Sequence, residues 1–442
     1  MQRLIIFLFF HITLSIHSQE VDAQLENLIL EHPEIKSLNA ELNSKRANAG
    51  HETTYPDPKI GMAFRNYPTR SYSFNDRAYD TPGMTGIEYS ISQEIPFPGR
   101  LTLQGKVRKL EEIEFLHYSK SRKNQFLLEY LSQIVRLKSA EKKIELNDQI
   151  RKTLESQRQI SASSFATGNS ALDKTLKLEV ETAFTQERQI ELIRDKENAL
   201  ASLTYFKTES SDLGKILGSD ISKYLKEKTS FIKSEKVTLR QNITENPNYK
   251  LAMISVERAR NESKLSSILH APDTEIFFAY MRRRKQIIAV DDGPLNYQIM
   301  DQTEYRGDLF SVGVNVRVPV WSLFSSSDLK ERSKQNTNSK AFELEKNKLY
   351  LESNFDKLNV TLESLDSQIE FYEKRLFPEL NKSLSASSSN YAGGKINLLE
   401  VLGTKIDLQK AYISFIELQE KKSIICLLIL ELTDTLVKSK GL

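Results

Sequence analysis

The stretch Ile87–Leu101 reads IEYSISQEIPFPGRL, and it changes character halfway. Up to Gln93 it alternates, with Ile87, Tyr89 and Ile91 on one side and Glu88, Ser90 and Ser92 on the other. That period of two is the signature of a strand with one apolar face. Pro96, Phe97, Pro98 and Gly99 follow, and after Gly105 neither glycine nor proline occurs until Gly168. Proline ends ladder hydrogen bonding and fixes φ, and glycine permits a sharp redirection. The stretch therefore predicts a strand, a rigid corner, and then a very long helix.

The same alternation recurs elsewhere. Phe310, Val312, Val314, Val316 and Val318 oppose Ser311, Gly313, Asn315 and Arg317. Ile60, Met62 and Phe64 oppose Gly61, Ala63 and Arg65, and Glu275–Arg282 alternates more weakly. Four strands are expected, near 59–67, 86–96, 274–283 and 309–319. Gly86–Pro96 spans eleven residues, and a tilted transmembrane strand needs about 9–11. Apolar residues toward lipid and polar residues toward a lumen are what a barrel wall requires. Long polar loops join the strands of each pair, Pro68–Met84 in one and Arg282–Asp308 in the other.

The helices are expected to be exceptionally long. Lys106–Thr167 holds 62 residues without glycine or proline, which at 1.5 Å each reaches roughly 90 Å. Val320–Phe377 gives 58 more before Pro378, where a kink or break is expected, and Lys405–Lys440 is equally uninterrupted. Val401, Leu408 and Phe415, with Thr404, Ala411 and Leu418, form an a/d seam, and Tyr130, Ile134 and Leu137 keep the same spacing.

The chain also reads twice. HPEIKSLNAELNSKRANAG from His32 matches NPNYKLAMISVERARNESK from Asn246. Pro96 answers Pro319, and the glycine turn at Gly168 answers that at Gly394, with offsets growing from 214 to 226 residues. The organisation expected is a signal segment 1–18, a first repeat 19–245 with a mixed insertion at 205–245 that includes Gly214 and Gly218, and a second repeat 246–442. Residues 1–18 carry a basic start at Arg3, an apolar run Leu4–Ile16 and Ser18 before a cut, the grammar of a secretory signal. No later run is apolar and long enough for a transmembrane helix, so a membrane crossing would have to be made by strands.

Composition excludes several classes. With 27% charged and 39% hydrophobic residues the 442-residue chain is not disordered by composition, and its net charge of +3 contains no basic block for nucleic acid. Cys426 is the sole cysteine, so no intrachain disulfide or CxxC site exists. His32, His51, His117 and His270 show no metal-ligand spacing, and no nucleophile elbow, phosphate loop or paired-acid signature occurs. Neither an enzyme nor a cofactor is expected.

The motif SQEIPFPGRL, the run YPDP, the pattern from Tyr391 to Gly394 and the doubled layout resemble the TolC-like outer membrane factors, closest to the heavy-metal efflux branch (CusC- and CzcC-like). The resemblance covers essentially the whole mature chain. It implies an α+β membrane protein: a homotrimer whose chains give four strands each to a twelve-stranded outer-membrane barrel, with antiparallel helices forming a periplasmic coiled-coil tunnel. It further implies a passive efflux conduit for substrates such as heavy-metal cations or drugs, with a periplasmic adaptor (membrane fusion protein) and an inner-membrane pump of the RND type as partners. The family's acidic tip position falls on Glu400, which would make Glu400 the pore constriction. A second acidic position falls on Gly403, and in the first half the corresponding one, which in the family links to Tyr391, falls on Lys174 with Asp173 beside it. The turns Thr167-Gly168-Asn169 and Gly393-Gly394-Lys395 would be the adaptor-docking tips, and Pro96-Phe97-Pro98-Gly99 with Pro319 the strand–helix junctions. The competing reading is an exported periplasmic coiled-coil scaffold without a pore.

N-terminal sequencing of the protein recovered from cell envelopes should begin near Gln19. A chain that still begins at Met1 would make the leading segment an anchor.

Overall fold

The computed structural model describes residues 25–66, 85–167, 172–207, 221–268, 270–283, 286–288, 302–304, 307–320 and 326–436. The signal segment 1–18, the loop Pro68–Met84, the turn residues Gly168 and Asn169, and Gly214 and Gly218 of the insertion lie outside them. After helical residues 25–31 come α1 (Pro33–His51), β1 (Lys59–Arg65), β2 (Gly86–Ile95), α2 (Arg100–Ala166) and α3 (Leu172–Tyr205). Next are α4 (Ile221–Ser234), α5 (Lys236–Gln241), a 3-10 turn (Asn242–Glu245) and α6 (Pro247–Ile268). The chain continues through β3 (Asp273–Arg283), β4 (Gln286–Ile288), β5 (Gln302–Glu304) and β6 (Leu309–Arg317). It then forms α7 (Ser326–Phe371), a π turn (Tyr372–Leu376), α8 (Phe377–Ala392) and α9 (Leu398–Leu432). The segment Arg282–Asp308, read from sequence as a polar loop, contains the short antiparallel β4–β5 pair.

Two compact units result. One comprises Asn43–Ile113 and Ile254–Phe342 and holds the sheet; the other comprises the chain before Asn43, Glu114–Met253 and the chain from Glu343. In the first, β1, β2, β3 and β6 form one antiparallel sheet in that order.

The helical unit is built on one face of α2. Phe126, Leu127, Tyr130, Ile134 and Leu137 are essentially inaccessible, as their helical spacing demands. His32 lies with its ring 4.6 Å from Phe126, and Phe206 packs 4.9 Å from Phe126 and 5.2 Å from Tyr130. Leu225 and Ile232 of α4, Leu239 of α5, Phe355 and Leu362 of α7, and Leu427 and Leu430 of α9 close the cluster. The described residues of the insertion are thus mostly helical, and they supply part of this core. Burial pushes the Tyr130 phenol up to about 12, so it stays neutral among the aromatic rings.

Three sequence expectations change. The helix after the first corner is 67 residues long, because it starts at Arg100 directly behind Gly99. Pro378 does not break its helix; the π turn Tyr372–Leu376 precedes it, and Leu376 and Phe377 keep helical dihedrals. The proline ring would crowd the carbonyl four residues back, and a wider turn moves that carbonyl aside without ending the helix. The last helix stops at Leu432 rather than running to Lys440. Asp434 takes a left-handed φ of 54°, and the Thr435 amide donates to the Leu430 carbonyl at 2.8 Å. The Asp434 carboxylate accepts from Asn124 at 2.7 Å and pairs with Lys120 at 2.8 Å, which holds it in that conformation.

Phe126→Ala should lower stability by about 3–5 kcal/mol, read as a fall in the melting midpoint of the helical circular-dichroism signal. A midpoint equal to that of the parent would show that the aromatic cluster is not what holds α2.

Candidate functional site

In the sheet, register places like with like. Ile60 faces Ile91, Met62 faces Tyr89, and Phe64 faces Ile87. Across the next ladder Tyr89 faces Tyr280 and Ile91 faces Phe278. Beyond it Phe278 faces Val312, Ile276 faces Val314 and Tyr280 faces Phe310. These side chains form one continuous apolar face, and it is uncovered: Ile60 is 82% and Val312 67% exposed. Phe278 and Phe310 meet edge to face with ring centroids 4.5 Å apart.

The opposite face sets Phe277 and Met281 among polar and small residues, and its charged groups are paired with one another. Arg65 donates to Glu88 at 2.7 Å, Ser92 donates to Glu275 at 2.7 Å, and Lys59 lies 3.8–3.9 Å from Glu275 and Glu94. Among the described residues, the outer edges of β1 and β6 pair with no further strand. Their backbone donors and acceptors are therefore open along both sides of the sheet.

The corner predicted at Pro96–Gly99 is present, and Gly99 adopts φ +89°, a conformation that costs glycine little. Helix α2 begins at the next residue, with the Arg100 amide donating to Phe97 O at 3.0 Å. Two residues not singled out in the sequence hold the corner. The Asp273 carboxylate, at the first position of β3, accepts the Phe97 amide at 3.1 Å and the Arg100 guanidinium at 2.7 Å. Arg100 also donates to the carbonyls of Ala271 at 3.1 Å and Ile268 at 3.3 Å. Both charged side chains are mostly buried, 13% and 16% exposed, so one ion pair ties the β2–α2 corner to the α6–β3 corner. An arginine directly behind PFPG and an aspartate directly behind proline in "APDT" were the signals available. At the other junction Pro319 follows β6, and the Val320 amide donates to Val318 O at 2.9 Å.

In the helical unit, the turn between α8 and α9 is closed by geometry that needs its glycine. Gly394 has φ +72°, and the Lys395 amide donates to Asn390 O at 2.8 Å, a Schellman ending. Asn397 then caps α9, its side chain accepting the Glu400 amide at 3.1 Å. Glu400 is exposed in the first turn of α9, the third position of a capping-box pattern legible as NLLE. Tyr391 is partly exposed, and its side chain makes no hydrogen bond among the described residues. In the other turn Thr167 ends α2, its hydroxyl donating to Ser164 O at 3.0 Å. The side chain of Lys174 lies outside the described set.

Helix α9 does not use the expected seam alone. Ile406 and Gln409 are its buried residues here, facing Ile150, Leu154 and Gln149. Thr404 and Phe415 instead turn to α8, meeting Ser387 and Phe377. The helix is packed on two sides, which broadens the stripe beyond a and d. Much of its contact with α2 and α3 is polar: Gln157 donates to Leu399 O at 3.0 Å, Arg188 pairs with Glu417 at 2.9 Å, and Lys410 with Glu181 at 3.5 Å.

Among the described residues no cluster of three metal-ligating side chains occurs, and no helix is long and apolar enough to cross a membrane.

No protein-family model and no curated protein sequence matches the chain. Solved structures do. A crystal structure of CusC that addresses folding and transmembrane channel formation aligns over 94% of this chain and 92% of its own, with TM-score 0.67 and 10% identity. The CmeC outer membrane channel of Campylobacter jejuni aligns over 96% and 87%, with TM-score 0.68 and 11% identity. The MtrE outer membrane channel of Neisseria gonorrhoeae, in its open state, aligns over 96% and 91%, with TM-score 0.69 and 10% identity. The chain has the fold of these channels, which is the fold that the sequence resemblance to TolC-like outer membrane factors implies.

Asp273→Asn should strip Arg100 of its charged partner and lower stability by about 1–3 kcal/mol, while Arg100→Met/Asp273→Asn recovers most of the loss. Thermal melts read both. A single variant as stable as the parent would remove the ion pair from its role at the corner.

Proposed function

We propose that the chain is an outer-membrane efflux channel subunit that assembles as a homotrimer. The observation that carries this reading is the sheet itself, which has one uncovered apolar face and two open edges. In a bilayer every backbone polar group must be paired, so a sheet can enter only as part of a closed barrel. Four strands cannot close, and about eight leave an interior filled with side chains. Strands β1 and β6 run in opposite senses, because three antiparallel pairings separate them. The β6 edge of one copy can therefore join the β1 edge of the next in an antiparallel ladder. Three copies close twelve strands around a lumen lined by the polar face. The fold shared with CusC, CmeC and MtrE supports the same conclusion.

In this assembly the helices lie in the periplasm. The turns at Thr167–Asn169 and Gly393–Lys395 are the ends offered to a periplasmic adaptor and, through it, to an inner-membrane pump of the RND type. Three Glu400 side chains converge on the axis at the constriction, where narrow low-dielectric walls strengthen their attraction for cations. No step needs a bound cofactor; cargo passes by diffusion through the lumen.

The protein should stay with outer membranes after a carbonate wash and run as a trimer in mild detergent. In a planar bilayer it should conduct with a preference for cations, and Glu400→Gln should reduce that preference with assembly unchanged. Release by carbonate would favour a periplasmic scaffold and end the channel reading. Unmoved reversal potential and conductance in Glu400→Gln would leave the channel but return Glu400 to the role of a helix-start residue.

A further inference from the structure

The helical unit contains a cavity of about 600 Å³ between α2, α4, α9 and the π turn, a size typical of small-molecule sites. Its apolar walls include Val135, Leu225, Ile369 and Ile416. Its polar groups are dominated by ammonium ions: Lys138, Lys142, Lys226, Lys233 and Lys422 line it, against the carboxylates of Glu373 and Glu420.

Most of the negative charge is already taken. Glu420 receives the buried Lys143 at 2.9 Å and the buried hydroxyl of Ser139 at 2.6 Å. The Asp366 carboxylate bridges Lys233 and Lys422, 2.8 Å from each, so one negative charge serves two positive ones. Burial pushes the Asp366 carboxyl up, but the hydrogen bonds from the two lysines outweigh it and hold it below its ordinary value. It therefore remains ionised at neutral pH. Lys142 and Lys226 have no carboxylate within ion-pair distance among the described residues.

Lys142 and Lys226 therefore add two positive charges that no carboxylate among the described residues offsets around one concavity. Lys142 and Lys226 are exposed and Lys422 lies deeper, and a concave surface lined by one sign of charge concentrates its field. Lys422 is only 25% exposed, so its charge sits well inside the protein. Neither the sheet nor the glycine turns require such an arrangement.

We propose that this cavity is a binding site for a small polyvalent anion bearing several carboxylate or phosphate groups, gripped by Lys142, Lys226 and Lys422. The anion supplies the charge that the wall lacks, and its size is limited by the enclosing helices. Every residue of the site belongs to the helical unit and none to the sheet.

The test is calorimetric titration of the full-length protein in detergent with inorganic pyrophosphate and, separately, with citrate. One saturable site per chain is expected, weakening steeply when salt is raised to about 0.3 M. Lys142→Glu/Lys226→Glu should weaken binding by about tenfold or more, and Lys142→Gln/Lys226→Gln by less. Lys346→Glu, exposed on α7 away from the cavity, should leave it unchanged. Tighter pyrophosphate assigns the site to phosphate, and tighter citrate assigns it to carboxylates. The proposal is overturned if neither anion gives saturable heat, if the double glutamate variant binds like the parent, or if Lys346→Glu weakens binding equally.

Discussion

A four-stranded sheet has two edges, and the backbone groups along them need partners wherever water is absent. Here the same sheet also turns a row of isoleucine, valine, phenylalanine and tyrosine outward with nothing over it. The two features answer each other. An aqueous protein would cover the face and blunt the edges with charge, whereas a lipid-facing wall needs the face bare and the edges joined to identical neighbours. The register supports this, since on the uncovered face Ile60, Ile91, Phe278 and Val312 face one another across the ladders, as do Met62, Tyr89, Tyr280 and Phe310. A slip of one residue in any ladder would put arginine and glutamate among them.

The corner translates that constraint into helices. Ladder bonding has to end at Ile95, and the chain has to turn and begin α2 without leaving its first amides unsatisfied. Gly99 supplies the left-handed conformation, and Asp273 supplies the acceptor for both an amide and a guanidinium. The aspartate stands on the neighbouring strand, so the two corners brace each other rather than folding separately. A charge pair shielded in this way is worth more than a surface pair, provided its remaining donors are used. Arg100 meets this in part: its Nη2 donates to the carbonyls of Ile268 and Ala271, while its buried Nε–H finds no acceptor among the described residues.

Much of this was legible in the residues. Alternation located all four strands of the sheet to within two residues, because each has one uncovered apolar face and the period of two is undisguised. The long helices were legible from the absence of glycine and proline. What escaped was decided by tertiary partners. Asp434 ends α9 without glycine because Lys120 and Asn124 hold its carboxylate, and those residues are more than three hundred positions away. The π turn ahead of Pro378 trades a break for a bulge, and no local pattern distinguishes the two outcomes. The seam on α9 read as a/d because heptad counting assumes one partner, and the helix has two. Of the candidate site, the glycine turn and corner could be read from residue type alone; Arg100, Asp273 and the lysine cavity depend on which helices and strands meet.

The uneven chemistry along α9 makes its hold on α2 and α3 uneven as well. Between Leu399 and Glu420 the helix is fastened mainly by amides and ion pairs, to Gln149, Gln157, Glu181, Arg188 and Lys143, with Ile406 against Ile150 and Leu154 the apolar contact. From Cys426 to Leu432 it is sunk in the aromatic and aliphatic core. Water replaces polar fastenings with little net loss, about 0.5–1.5 kcal/mol for each hydrogen bond and less for exposed ion pairs. It cannot replace the core. Detachment of α9 is therefore inexpensive at its glycine-turn end and becomes steadily more costly toward its C-terminus. Local opening of α9 from α2 and α3 costs least near Leu399 and most at the core, while Tyr412 and Phe415 keep it packed on Phe377 of α8.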